Sequence, residues 1–107
     1  MATETTAGSQ TATIDTEHSL YTASAAGVYV LKVDLTNLVS GDEVTLRVKA
    51  KGREAEATRR LAFTGSYAHA QGVPLVQSIP VVGTSVEFTL EQTDGTGRAF
   101  PWSVWSI

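Results

Sequence analysis

The sequence predicts an all-β chain: a single β-sandwich, jelly-roll-like, of seven or eight antiparallel strands behind a flexible N-terminal arm. Three observations carry that expectation. Val28 to Lys51 holds two apolar-alternating runs joined by a polar corner, which is the pattern of paired strands. Thr, Ser, Ala, Val and Gly are abundant and charged residues make up only 18% of the chain, a composition suited to twisted sheets and turns. Turn signals recur at short intervals along 107 residues without an internal repeat, so the strands are short and the domain is single.

Residues 1–16, MATETTAGSQTATIDT, hold one large apolar side chain after Met1, Ile14, and are otherwise small and hydroxylated. Such a segment buries too little to offset the entropy of ordering, so it is expected as a flexible arm, with the sandwich over residues 17–107. Its threonines also suit it to joining a neighbouring subunit as an extended strand. Glu17 to Ala25 gives a short strand around Ser19–Thr22 and a small-residue turn closing near Gly27. From Val28, Tyr29, Leu31, Val33 and Leu35 share one face, while Val28 and Val30 share the other. A strand apolar on both faces at its start is central, or has its outer face covered.

Asp34–Asp42, DLTNLVSGD, is the corner: Asp34 and Asn37 can accept local donors, Leu35 and Leu38 plug inward, and Gly41 permits a positive φ. In the next strand Val44, Leu46, Val48 and Ala50 face a core, while Thr45, Arg47, Lys49 and Lys51 face water. Arg53–Arg60, REAEATRR, has helix-forming composition but is short and lacks an apolar stripe. It reads as the tip and return limb of a charged hairpin leading into Leu61–Ala68, where Leu61, Phe63 and Tyr67 share a face. Two prolines between Ala70 and Pro80 confine any strand there to an edge. After a turn at Gly83, Val86, Phe88 and Leu90 point inward. Thr93–Arg98 is a turn on Asp94-Gly95 and Gly97. The last strand, Ala99–Ile107, sets Phe100, Trp102 and Val104 opposite Trp105 and Ile107, which makes Trp102 core and leaves Trp105 exposed or covered by a partner.

Composition narrows the function. Eight basic against eleven acidic residues leave a net charge of −3, which argues against a protein whose work is gripping nucleic-acid phosphates. No run of about 18 apolar residues is present, so no membrane helix is expected, nor does the N-terminus read as a secretory signal. The absence of cysteine removes disulfides and thiolate chemistry, and fits assembly in a reducing cytoplasm.

Chemistry-bearing residues are few. His18 lies near Asp15 and Glu17, but an extended chain turns successive side chains to opposite faces, so a metal would need donors from elsewhere. An exposed polar segment is the better account. His69 follows a strand with no Ser or Asp placed to complete a dyad, so one backbone hydrogen bond is expected of it. Gly95-x-Gly97 lacks the glycine spacing and following helix of a phosphate loop. The carboxylates scatter over solvent faces. No catalytic residue, cofactor or metal is expected.

Asp34–Asp42, followed by VTLRVK, the proline-bearing Val73–Pro80, FTLEQTDGTGR and the closing PWSVW, resembles small virion proteins of tailed bacteriophages, of the capsid-decoration (cement) or minor-structural kind. The resemblance covers roughly residues 17–107. It implies a jelly-roll-like sandwich that forms a homo-oligomer, a trimer or dimer. It further implies a place on the outer capsid lattice of a virion assembled in the host cytoplasm, with the major capsid protein as partner. The arm (Thr3, Thr5, Thr11, Thr13), the charged hairpin (Lys51, Arg53, Arg59, Arg60) and Trp105 are the candidate contact residues. Two other readings compete: a carbohydrate-binding module stacking sugars on Trp105, Tyr29 or Tyr67, and a tail or baseplate component.

Overall fold

The computed structural model describes residues 2–107. Nine strands follow one another: β1 (Thr3–Thr11), β2 (Glu17–Ala23), β3 (Gly27–Asp34), β4 (Glu43–Ala50), β5 (Arg60–Ala68), β6 (Leu75–Gln77), β7 (Val81–Gly83), β8 (Val86–Asp94) and β9 (Ala99–Ser106). They form two antiparallel sheets, and no helix occurs among the described residues. Sheet one has the order β1-β9-β3-β6, with β7 also on β3; sheet two has the order β2-β8-β4-β5. Inward side chains of both sheets meet in one apolar cluster. Leu31, Val33, Phe100 and Val104 come from sheet one; Val44, Leu46, Val48, Val86, Phe88 and Leu90 come from sheet two. Tyr29 meets Phe88 edge-on at 6.3 Å between ring centroids, joining the two sheets.

The period-two alternation puts the expected residues in this core, but three segments differ from expectation. Residues 3–11 of the expected flexible arm are strand β1, paired along β9 from Thr3 opposite Ser106 to Thr11 opposite Ala99. The ladder supplies the partners that small side chains cannot. Backbone amides find acceptors on β9, and the indole of Trp102 lies against Gly8, where an added Cβ would come within 3.1 Å of the ring. Met1, the first residue of that expected arm, lies outside the described residues.

The second difference is the count, nine strands where seven or eight were expected. Leu75–Gln77 and Val81–Gly83 both pair with β3, and the break between them contains Pro80, which has no N–H to give a ladder. Ser78 spans the break: its N–H donates to the Leu31 carbonyl, and its Oγ accepts the Leu31 N–H, at 2.8 and 2.9 Å. Third, of the expected tip and return limb Arg53–Arg60 only Arg60 is in a strand, and Leu61 does not share a face with Phe63 and Tyr67. Val48 pairs with Phe63 but Lys49 pairs with Leu61, so Ala62 is an extra residue. That bulge turns Leu61, 53% exposed, to the outer face.

At one end of the sheets Asp42 fastens the corner. Its carboxylate accepts the Val39 and Thr96 N–H groups at 3.1 and 3.2 Å and pairs with Arg98 Nε at 2.9 Å, while its own carbonyl accepts the His69 N–H. Gly41 and Gly95 adopt φ of 92° and 88°, and a Cβ on Gly95 would fall on the Asp42 carboxylate. Asn37 serves as a donor here, not an acceptor: its amide reaches the Ala99 carbonyl at 2.6 Å.

Candidate docking surface

Among the described residues the buried side-chain polar groups are hydrogen-bonded. Gln92, fully buried, donates to the Asp94 and Thr96 carbonyls and accepts the Arg98 N–H. Burial would raise the Asp42 carboxyl, but the Val39 and Thr96 amides and the Arg98 guanidinium outweigh it and hold its pKa below the ordinary carboxylate value. His69 Nδ1 accepts the Gly41 N–H, and His18 Nε2 accepts the Thr13 N–H. Among the described residues no buried side-chain polar atom lacks a partner, and no three His, Asp or Glu residues cluster as metal ligands.

The outer faces of the two sheets differ in kind. On sheet two, Glu17 lies 3.0 Å from Lys49 and 3.4 Å from Arg47, which also pairs with Glu91 at 2.9 Å. Thr89 donates to Glu17, and this bond, with Lys49 and Arg47, lowers the Glu17 pKa against the opposing effect of burial. The Glu91 hydrogen bond raises the pKa of Arg47. Arg59 lies 3.6 Å from Glu87 and donates to Ser85. Each of these ions is matched by its neighbours.

On sheet one the outward residues of β3 begin Val28, Val30, Lys32. Register sets Val30 beside Trp105, and Trp105 beside Glu4 of β1. It also sets Val82 beside Val28, and the Ile107 N–H donates to the Val28 carbonyl. Val82 and Ile107 are 70% and 61% exposed, so this end of the sheet carries an apolar shelf open to solvent. Trp105 stands at its edge as a ridge between two grooves of about 420 and 280 Å³. Two contacts fix the indole: Nε1 donates to Ser103 Oγ at 2.9 Å, and Lys32 Nζ lies 5.2 Å from the ring centroid. Lys32 and Glu4 enter no ion pair among the described residues.

The candidate contact residues divide between the sheets. Trp105 lies on the outer face of sheet one and Trp102 packs partly on the core, the two sides expected of them. Thr3, Thr5 and Thr11 are exposed along β1, with Thr5 at a bulge, and Thr13 is exposed just after it. Lys51, Arg53, Arg59 and Arg60 follow β4 of sheet two, so they do not share the Trp105 face. Arg53 pairs with Glu56 and Arg59 with Glu87, which reduces that cationic tip. Of the three sugar-stacking candidates, Tyr29 is 5% exposed with its hydroxyl on the Ala25 carbonyl, and Tyr67 packs on the core. The sequence does not single out Lys32, which lies over Trp105, or Val82, which lies beside Val28, because both places depend on strand register. The apolar outer phase of Val28 and Val30 was the one signal pointing there.

No family model, curated protein or solved structure matches the chain.

Proposed function

We propose that the chain is a non-enzymatic structural protein that decorates and stabilises a tailed-phage capsid, bound on the outer surface between capsomers. Its partners are the major capsid protein and further copies of itself. The observation that carries this reading is the contrast between the outer faces: one crossed by internal ion pairs, the other a solvent-facing apolar shelf bordered by an anchored tryptophan. An apolar patch bordered by an aromatic marks a surface that is covered in use. Strand order supports the jelly-roll sandwich that goes with it. With β6 and β7 counted as one strand interrupted at Pro80, the chain crosses between sheets at every connection except β4–β5. Such crossing supports reading the sandwich as an eight-stranded double Greek key.

Sugar stacking is less well supported, because only Trp105 remains as a platform and Lys32 lies over its ring. The test is addition of purified chain to capsids that lack it, followed by sedimentation. Wild-type protein should co-sediment and raise the shell's melting temperature. Trp105→Ala, folded by circular dichroism, should lose at least about tenfold in occupancy, the loss of an aromatic anchor. Wild-type protein left in the supernatant would sink the proposal.

A further inference from the structure

The geometry points to a second copy of this chain as the occupant of the Trp105 face, the two copies packing sheet one against sheet one about a two-fold axis. The inference rests on the reading that this face is covered in an assembly, and it adds what covers it. An isologous interface must be self-complementary, each contact occurring twice. The face meets that condition about an axis running along the seam between β3 and β9. Rotation about this line exchanges the two strands, so Trp105 of one copy lies on Val30 of the other, and Ile107 lies on Val28. Those pairs are neighbours across the seam within one chain, through the Val30–Trp105 register and the Ile107–Val28 hydrogen bond. Apolar residues therefore meet apolar residues on both sides of the axis.

Charge obeys the same operation. Lys32 on β3 and Glu4 on β1 lie on opposite sides of Trp105, and neither has an ionic partner among the described residues. The rotation carries Lys32 of the second copy over β9, one strand from Glu4 and about two residues along, which is within reach of two long side chains. Each copy thus offers the cation its partner's anion lacks, twice per dimer. The alternative alignment, lysine over lysine, is disfavoured by like charge. At strand spacings of about 4.8 Å and rises of about 3.3 Å per residue, a face four strands wide and about eight residues long amounts to roughly 500 Å² per copy. Interfaces near that size are weak, so the dimer should form in the micromolar range and gain from the high local concentration of an assembly.

The experiment is sedimentation equilibrium of the isolated chain from about 1 μM to about 1 mM, the range over which an interface this small changes occupancy. Wild-type protein should pass from monomer to dimer. Trp105→Ala should remain monomeric. Lys32→Glu and Glu4→Lys should each weaken association at least about tenfold, and the double variant should recover to within about threefold of wild type, because the swap restores opposite charges across the axis. Both charge variants alter surface side chains, and circular dichroism is the check on their folding. Wild-type protein monomeric at the highest concentration overturns the inference, as does a double variant no better than the singles. The measurement uses no capsid. Failure here returns the face to the shell protein, while failure of capsid binding leaves a dimer standing.

Discussion

Asp42 joins two stretches of chain through one carboxylate that is 2% exposed. The corner before β4 gives the Val39 N–H, and the turn before β9 gives the Thr96 N–H and the Arg98 guanidinium. Removing the charge leaves those donors facing a poorer acceptor, and buried hydrogen bonds to charged groups are worth about 1.5–3 kcal/mol each. Asp42→Asn should therefore cost about 2–3 kcal/mol at neutral pH by chemical denaturation, within that range. The pH dependence has a definite sign. The folded pKa lies below the unfolded value near ~3.9, so the contribution is present above that value and lost as pH falls through the folded pKa. Wild-type stability should decline steeply in that acid range and the Asn variant more gently, the two curves converging. Parallel curves would show that Asp42 is not the titrating group.

The elements show how far alternation can be read and where it stops. Val44, Leu46, Val48 and Ala50 are all buried because an unbroken strand keeps its phase. Leu61 escapes because the extra residue at Ala62 shifts the phase, and nothing in RLAFTGSYA marks a bulge there. β1 escapes for another reason. An edge strand can be held by backbone pairing on a strand already in place, so its own side chains need not be apolar. The docking face was half legible: Val28, Val30 and Trp105 stand out in the sequence, but which residues flank them is a matter of register. Removing residues 1–11 takes no free arm away; it strips the ladder from β9 and uncovers the indole of Trp102. Several hydrogen bonds at about 0.5–1.5 kcal/mol each are lost, so stability should fall by at least about 2 kcal/mol, roughly 8 °C in melting temperature for a domain this size. An unchanged melt would show that β1 adds nothing to the fold.

For the whole molecule, the proposed association falls on the side opposite the ion pairs. The core lies between the sheets and the ions of sheet two are matched within the chain, so that face adds modestly to stability and offers little to a partner. The outer face of sheet one is the reverse: its exposed Val82 and Ile107 add little to the isolated fold and stand to be buried by another chain. Substitutions should therefore separate into two classes. Glu17→Gln removes the anion shared by Arg47 and Lys49, all three side chains being about a third exposed or less. Screened pairs of this kind are worth about 0–1 kcal/mol, so the variant should lose up to about that much stability. Its dimerisation and capsid occupancy should match wild type. Trp105→Ala should show the opposite pattern, with a melting temperature within a few degrees of wild type and both forms of association lost. Melts and sedimentation of the two proteins side by side decide it. If Glu17→Gln impaired association as much as Trp105→Ala, both outer faces would be contact surfaces and the division of labour between the sheets would fail.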